Sequence, residues 1–229
     1  MKGRFKRRLI TLGVALCLLA LALYAIYLSQ SVGGIVDRSD RGFIRNGGFE
    51  EGSLFGWGAS VVGDPDGSAA APVKYQPYSG EYCLVMMLEG RAKVLRVEPQ
   101  IERIPFSWVK GFSLAYRLLN SSDIMWGVTF VLKGISSNDS RTLVYLLYNE
   151  GKEYVYYNET TQLVFNIGDA GAEWRKIERR IVDDFKLYWV KDDPSQFTVW
   201  HISVDLYRAG KEQPLKKFLA FIDDFNLEK

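Results

Sequence analysis

The stretch "FIRNGGFEEGSLFGW", from Phe43 to Trp57, combines an Asn-Gly-Gly turn sequence, two adjacent carboxylates and a Gly-Trp pair within fifteen residues. Glycine and asparagine tolerate backbone conformations that most residues avoid, so this composition predicts tight turning. The stretch comes after a long apolar segment and a short polar linker. It therefore predicts a folded domain whose first residues turn sharply and present carboxylates.

Residues 9–28, "LITLGVALCLLALALYAIYL", are twenty consecutive uncharged and mostly apolar positions. A helix needs about 20 such residues to cross the hydrocarbon core of a bilayer. Residues 1–8 are basic, and the positive-inside rule predicts that they stay in the cytoplasm. We expect a single-pass transmembrane anchor in the cell membrane, a linker at residues 29–42 and an extracellular domain at residues 43–229. The alternative is a secreted protein whose signal segment is cleaved, although the bulky end of the segment offers no small-residue cleavage site.

Because the N-terminus is basic, the net charge of the whole chain does not show that the remaining chain has more acidic than basic residues. Five of the 29 basic residues lie in residues 1–8 and none in residues 9–28, which leaves 24 basic and 27 acidic residues and a net charge of −3. This balance argues against nucleic acid as a partner. Only Cys17 and Cys83 occur, and Cys17 lies in the apolar segment, so no disulfide can form within the exported domain. Sequons at Asn120, Asn138 and Asn158 are candidate glycosylation sites of a glycoprotein.

Short strand-like runs recur after the linker, and turn sequences such as "NSSD", "NEGKE" and "DDPSQ" separate them. No apolar run with helical period is long enough to predict a helix. Many short strands without intervening helices predict an all-β antiparallel sandwich or barrel. The predicted strands are Tyr82–Leu88, Lys93–Glu98, Trp108–Leu119, Trp126–Lys133, Leu143–Tyr148, Glu153–Tyr157, Trp174–Arg180, Phe197–Tyr207 and Lys217–Leu227.

One of these strands, "FTVWHISVDLY", alternates along its whole length. Successive side chains of a strand point to opposite faces, so the alternation predicts one core face and one face toward solvent or a groove. The predicted core face carries Trp200, Ile202, Val204 and Leu206, and the other face carries His201, Ser203 and Asp205.

Four motifs resemble the CenC-type carbohydrate-binding modules, the group that covers families four, nine and twenty-two. They are the opening "IRNGGFEEGSLFGW", then "YSGEYCLVM" and "EWRKIERRI", and the closing "FLAFIDDFNLE". Their order matches over about residues 43–228, whereas the chain departs from the pattern between Trp108 and Tyr157. The resemblance implies a galactose-binding-like jelly-roll β-sandwich in which Trp57 belongs to the core. It also implies that the first and last segments lie side by side.

Two carboxylates at the ends of this domain are candidate metal ligands. Asp223 has the same strand parity as Phe225 and Leu227, and an ionised carboxylate on a core face is costly unless it is paired or binds a metal. Glu50 follows Phe49, and the neighbouring Gly48 is expected to let the chain turn sharply. If the ends adjoin, Glu50 and Asp223 can converge on a hard cation that takes oxygen ligands, and the resemblance implies a structural calcium there. The alternative is that Glu50 caps a turn and Asp223 pairs with an arginine.

Catalysis is not indicated by the residue pattern. The chain's single histidine, His201, shares a strand face with Ser203 and Asp205, at steps of about 7 Å that are too long for a direct Ser–His hydrogen bond. Adjacent carboxylates such as Asp183 and Asp184 would point to opposite faces of a strand and form no facing acid–base pair. We therefore expect a protein that is not an enzyme.

The aromatic content, six Trp and thirteen Tyr, suits carbohydrate binding. Rings of this kind also serve as strand formers and core fillers, so each one has a purely structural alternative. We expect a non-catalytic surface protein that binds glycan or polysaccharide. The alternative is a structural or assembly subunit whose sandwich contacts a surface protein partner. The candidate sugar-binding residues are Trp126, Tyr145, Tyr148, Tyr156, Trp189 and His201.

Overall fold

The described chain folds into two β-sheets and one short α-helix. The structure, a computed structural model, describes residues 43–65, 67–119, 124–136, 138–149, 160–167, 170–208 and 217–229. Its strands are β1 (Trp57–Gly63), β2 (Ala69–Val73), β3 (Cys83–Leu88), β4 (Ala92–Pro99), β5 (Ile104–Pro105), β6 (Gly111–Leu118), β7 (Ile124–Gly134), β8 (Ser140–Asn149), β9 (Gln162–Asn166), β10 (Arg175–Arg179), β11 (Phe197–Arg208) and β12 (Phe218–Glu228). The helix α1 spans Ile181–Tyr188, and 3₁₀ turns lie at Phe106–Trp108 and Pro194–Gln196.

The strands divide between a seven-stranded and a five-stranded sheet. The larger sheet has the order β1-β4-β11-β7-β8-β9, with β5 paired to β11, and the smaller has the order β10-β6-β12-β3-β2. The chain passes repeatedly from one sheet to the other, as in jelly-roll sandwiches. Among the described strands, all pairings are antiparallel except that of β8 with β9, which is parallel and departs from the all-antiparallel prediction.

The core lies between the two sheets and contains aromatic side chains from both. Phe112 of β6 contacts Phe130 of β7 and Tyr145 of β8, with ring centroids 5.0 and 5.1 Å apart. Tyr116 of β6 meets Trp126 of β7 edge to face. Because all five side chains are buried, their removal from water is the main force that joins the sheets.

The β-sandwich prediction is confirmed, and eight of the nine predicted strands correspond to observed ones, from β3 to β12. The ninth, Glu153–Tyr157, lies outside the described residues. Sequence reasoning missed β1, β2, β5 and β9. Strands β1 and β2 lie at sheet edges and consist largely of small, exposed residues, so their sequences hardly alternate.

The expectation that no helix interrupts the strands is wrong. Helix α1 begins directly after β10, and its Ile181 and Phe185, one turn apart, are both buried. Phe185 packs against Phe106, Trp189 and Phe197. Eight residues are too few to show helical periodicity, so tertiary packing stabilises a helix that the sequence pattern did not predict.

The membrane prediction falls on residues that are not described. No helix in the described part of the chain is long and apolar enough to cross a bilayer. Residues 1–8, the predicted anchor at 9–28 and the linker at 29–42 lie outside the described residues.

Candidate functional site

The opening stretch packs against the end of the last strand. The Phe225 N–H of β12 donates to the Gly47 carbonyl at 3.0 Å. The Trp57 ring lies between Phe49 and Phe225, with centroids 5.1 and 5.8 Å away, and its indole N–H donates to two carbonyls of the opening stretch. Trp57 is 4% exposed, so its prediction as a core residue is confirmed. The first and last segments of the domain therefore lie side by side.

The sharp turn in this stretch depends on Asn46 and Phe49, whereas Gly48 was the residue expected to allow it. Asn46 and Phe49 have positive φ values of 52° and 57°, whereas Gly48 does not. The Asn46 side chain donates to the carbonyls of Ser53 and Phe55, which stabilises the unusual backbone locally. Gly47 is needed for space, because a Cβ there would lie 1.9 Å from the Phe225 carbonyl oxygen.

The prediction that Asp223 lies on the core face is wrong. The pairing of β12 with β6 shifts register between Asp223 and Asn226, and Asp224 has a φ of 47°. Such a bulge adds one residue and reverses the alternation that follows it. Ile222 and Phe225 both face the core, and Asp223 lies on the opposite face of the sheet.

Asp223 is nevertheless fully buried, because the loop between β2 and β3, residues 74–82, covers it. Its Oδ2 accepts the N–H groups of Tyr78 and Ser79 at 2.9 and 3.1 Å, and its Oδ1 accepts that of Asp224 at 2.8 Å. Burial raises the pKa of Asp223 to about 6, and the three backbone hydrogen bonds oppose that rise. Among the described residues Asp223 pairs with no arginine, so backbone N–H groups are its partners.

Glu50 anchors the same 74–82 loop from the opening stretch. Its carboxylate accepts two backbone N–H groups of the loop, at 2.9 and 3.3 Å. A Cβ placed on Gly48 would lie 3.3 Å from Asp224 Oδ1, 3.8 Å from Glu50 Cγ and 3.9 Å from Asp223 Oδ1. The side chains of Glu50, Asp223 and Asp224 therefore all pass close to Gly48.

Carboxylate oxygens of this kind suit calcium, and an oxygen that accepts one N–H retains a lone pair. No cluster of three or more His, Cys, Asp and Glu side chains arranged around a metal position occurs in the described part of the chain. Calcium remains a prediction for this position.

A second candidate site is the outward face of the seven-stranded sheet, away from the core. At its centre β11 lies between β4 and β7. Their outward side chains carry carboxylate, guanidinium, imidazole and hydroxyl groups, most of them half-exposed. We call this set the polar face; it comprises Arg96, Glu98, Thr129, His201, Ser203, Asp205 and Tyr207.

An ion pair between a buried carboxylate and a half-exposed guanidinium organises the polar face. Asp205 is fully buried and pairs with the Arg96 guanidinium, while the hydroxyls of Ser203 and Thr129 donate to its Oδ2 at 2.7 and 3.2 Å. Burial acts to lower the pKa of Arg96, but the hydrogen bond and the charge of Asp205 outweigh it and raise the pKa. Because its charges compensate each other, the centre of this face is polar without a net charge.

His201 lies beside this network and is half-buried. Its Nδ1 is 3.8 Å from Glu98 Oε2, and Ser203 donates to Asp205 and not to the histidine. Ser203 and Asp205 are separated by the same two-residue step as His201 and Ser203, so strand spacing alone does not exclude a direct hydrogen bond at this step. Of the predicted sugar-binding residues that are described, only His201 lies on the polar face.

Trp200 lies at the end of the polar face, which corrects its prediction as a core residue. The pairing of β11 with β7 shifts register between Val199 and His201, and Trp200 is the extra residue of this bulge. Val199 and Ile202 point into the core on either side of it, while the indole is 40% exposed. The Arg103 guanidinium and the Lys133 ammonium lie 4.0 and 3.9 Å from the ring centroid.

The structure places four predicted sugar-binding aromatics against the core. Trp126 and Tyr145 are fully buried, and Tyr145 donates its hydroxyl to Asp184 at 2.9 Å. Trp189 is 8% exposed and packs on Phe185. Tyr148 is half-buried and packs against the core. The two fully buried rings present no free face, so neither belongs to the polar face.

The remaining predicted positions are divided between described and undescribed residues. Asn138 is exposed, as glycosylation of its sequon requires. Tyr156 and the sequons at Asn120 and Asn158 lie outside the described residues. The residue pattern did not identify Arg96, Tyr207 or Trp200 as candidate binding residues. Arg96 and Tyr207 occupy outward-facing positions in the alternation of their strands, so that alternation could have identified them. No sequence feature indicates the bulge that turns Trp200 outward.

No protein-family model and no curated protein matches the chain. Among solved structures, the chain is similar to TmCBM61 in complex with β-1,4-galactotriose, with 18% identity, a TM-score of 0.43 and coverage of 83% of this chain and 99% of that one. It is also similar to a family 11 carbohydrate-binding module from Clostridium thermocellum in complex with a β-1,3-1,4-mixed-linked tetrasaccharide, with 11% identity, a TM-score of 0.44 and coverage of 78% and 92%.

A third similar structure is the CBM22-1 xylan-binding domain of Paenibacillus barcinonensis Xyn10C, with 14% identity, a TM-score of 0.42 and coverage of 79% and 90%. These three structures are carbohydrate-binding modules, the class of protein that the opening and closing motifs resemble.

Proposed function

We propose that this domain is a non-catalytic glycan-binding module and that the glycan lies along β11 on the polar face. The observation that carries the proposal is the bulge that turns Trp200 outward at the end of a row of half-exposed hydrogen-bonding groups. Bulges often re-aim a side chain beside a functional site. A partly exposed indole offers an apolar surface of the kind against which a sugar ring can pack.

The rest of the polar face supplies the hydrogen bonds that sugar hydroxyls need. Arg96 and Tyr207 interact with each other, and Asp205 holds the guanidinium in place, so these groups are ordered before a ligand arrives. Roughly 20 Å separates Trp200 from Tyr207 at the usual rise of a strand, a length that suits an oligosaccharide. The site is therefore an extended platform with an aromatic ring at one end.

Replacing Trp200 by alanine is expected to weaken polysaccharide binding about 10- to 100-fold, because the stacking ring is lost. Affinity electrophoresis and calorimetry of the purified full-length chain measure the change. Phe55→Ala is the matched control, since Phe55 is 41% exposed and also has an arginine, Arg45, over its ring. The control variant is expected to bind as the native chain does.

A glycan array tests the proposal as a whole. Binding to at least one polysaccharide that is sensitive to Trp200→Ala and insensitive to Phe55→Ala supports it. Absence of binding across neutral and acidic polysaccharides contradicts it and favours the assembly function, in which the same sandwich contacts a protein partner.

We also propose that calcium binds near Gly48, which the side chains of Glu50, Asp223 and Asp224 pass closely. The ion would neutralise the Asp223 carboxylate, whose burial makes its charge costly, and would join the opening stretch to the last strand. Its role is structural, since these residues lie on other segments than the polar face.

Residues 9–28 are proposed to hold the protein in the cell membrane, with the domain outside the cell. The protein is expected to fractionate with membranes and to keep residues 1–28, because the apolar segment is long enough to span a bilayer. Mass spectrometry of the intact protein checks this result. A mature N-terminus between residues 29 and 42 would instead show that the segment is a cleaved signal peptide.

A further inference from the structure

We propose that one end of the domain rests on the surface of a phospholipid bilayer that contains anionic lipid. The contact is made by exposed apolar side chains on and near helix α1. We call them the apolar end; they are Trp108, Leu187, Tyr188 and Val190. The proposal goes beyond glycan binding and uses none of the residues of the polar face. It rests on the proposed membrane anchor only for how the domain is kept near a bilayer.

The apolar end contains the most exposed apolar side chains of the described chain. Val190, Leu187 and Trp108 are 79%, 68% and 63% exposed, more than any other large apolar residue in the described part. Phe106, two residues before Trp108, packs on Phe185 of α1 with ring centroids 5.2 Å apart, so Trp108 and α1 belong to the same end of the sandwich. Clustered exposed apolar residues of this kind mark a contact with a partner or a membrane.

The described chain begins at the same end. The Lys229 ammonium lies 5.2 Å from the centroid of the Phe43 ring, so the first and last described residues adjoin. The Lys110 N–H donates to the Glu228 carbonyl at 2.9 Å, which places Trp108, two residues earlier, close to both of them. The linker therefore joins the domain beside the apolar end.

The length of the linker keeps this end near the bilayer. Residues 29–42 are fourteen residues, and a chain of that length spans at most about 50 Å even when fully extended. Tethering over so short a span gives the apolar end a high effective concentration at the lipid surface. A weak attraction is therefore enough to hold it there.

The aromatic residues of the apolar end suit the boundary between lipid and water. Trp and Tyr are the residues that concentrate at this boundary, because each has an apolar ring and a polar tip. Trp108 and Tyr188 are both more than half exposed, and Leu187 and Val190 add aliphatic surface next to them. These four side chains can enter the headgroup region without any change in the fold.

Positive charge surrounds the apolar end. The acidic side chains nearest in sequence are paired with arginines, Asp183 with Arg180 at 3.0 Å and Asp192 with Arg141 at 2.7 Å. Lysines can lay their apolar stems on a membrane while their ammonium groups contact lipid phosphates, and anionic lipid strengthens such binding. Four exposed lysines at this end form no ion pair with a carboxylate among the described residues: Lys110, Lys186, Lys191 and Lys229.

The test measures contact between Trp108 and lipid. The full-length chain is placed in phosphatidylcholine vesicles, with or without phosphatidylglycerol, whose brominated acyl chains quench tryptophan fluorescence on contact. All six tryptophans lie at or after residue 57, so the predicted anchor contributes no signal. Trp108→Phe is expected to remove half or more of the quenching. Trp174→Phe, before β10 and thus at its opposite end from α1, is expected to keep it.

A second pair of variants tests the aliphatic part of the surface. Leu187→Ser/Val190→Ser is expected to reduce the quenching at least twofold. Val62→Ser/Leu119→Ser removes two exposed aliphatic side chains at the other end of the sandwich and is expected to leave the quenching unchanged. Quenching of the native chain is expected to be at least twofold stronger with phosphatidylglycerol than without it.

The outcomes separate this inference from the other proposals. Quenching that survives Trp108→Phe or Leu187→Ser/Val190→Ser, or that is the same in both lipid mixtures, overturns the inference and leaves glycan binding in place. A change of oligomeric state in detergent with Leu187→Ser/Val190→Ser, without a change in quenching, overturns it in favour of contact between two copies of the chain. A chain that does not float with the vesicles overturns both the proposed anchor and this inference. Melting curves confirm that both double variants are folded, since they change only exposed side chains.

Discussion

Gly47→Ala is expected to destabilise the domain by about 3 kcal/mol or more, which would lower the melting temperature by roughly 6–12 °C in a domain of this size. The added Cβ would lie 1.9 Å from the Phe225 carbonyl oxygen, where ordinary contact begins near 3.4 Å. The obstacle is backbone, and that backbone also donates the Phe225 N–H to the Gly47 carbonyl. Relief of the clash therefore requires the opening stretch and β12 to separate. Thermal unfolding followed by circular dichroism measures the shift.

Two other glycines provide a graded control for this result. At Gly171 no atom lies within 4 Å of the added Cβ, so Gly171→Ala should leave the melting temperature nearly unchanged. At Gly48 the nearest atom is the Asp224 side-chain oxygen at 3.3 Å, which can move, so an intermediate effect is expected. Equal melting temperatures for the Gly47 and Gly171 variants would show that the opening stretch does not pack on β12 as described.

The strands were predictable where one face is buried and the other is not. In β4, Leu95 and Val97 are buried while Arg96 and Glu98 are half-exposed, and this alternation is visible in the sequence. The edge strand β1 has a different sequence, "WGASVVG", whose small and exposed residues do not alternate in hydropathy. Alternation depends on one-sided burial, so edge strands give a weak signal.

The two β-bulges explain the errors in side-chain direction. Each inserts one residue, at Trp200 in β11 and at Asp223–Asp224 in β12, and each reverses the face of the residues on one side of it. Strict alternation placed Trp200 and Asp223 in the core, whereas both belong to outward faces. A bulge depends on pairing with a neighbouring strand, so the sequence of one strand does not contain it.

The candidate metal site was predictable only in outline. The resemblance of the opening and closing motifs implied that Glu50 and Asp223 adjoin, and both side chains pass close to Gly48. Their hydrogen bonds to the 74–82 loop were not predictable, because almost every residue type has a backbone N–H group and the sequence does not show which of these groups a side chain will bind. Both carboxylates therefore have a structural role whether or not an ion binds.

Asp223→Ala is expected to destabilise the domain by about 3 kcal/mol even in the presence of a chelator. Three backbone N–H groups in part-buried hydrogen bonds, those of Tyr78, Ser79 and Asp224, would lose the buried Asp223 carboxylate as their acceptor, and an unsatisfied donor away from water is costly. Glu50→Ala should cost less, because Glu50 is exposed and water can replace it. Glu51→Ala should cost least, since its side chain is exposed and only its backbone N–H bonds to Asn46.

Calcium adds a second contribution that chelation isolates from these hydrogen bonds. An ion that binds only the folded state stabilises it by about 2.7 kcal/mol at a hundredfold excess over its dissociation constant. The native chain is therefore expected to melt several degrees higher in calcium than in chelator, and Glu51→Ala should keep that difference. Asp223→Ala and Glu50→Ala should abolish it, since each removes a ligand. An unchanged native melting curve on chelation, with Asp223→Ala still destabilised, would mean that backbone hydrogen bonds alone join the ends of the domain.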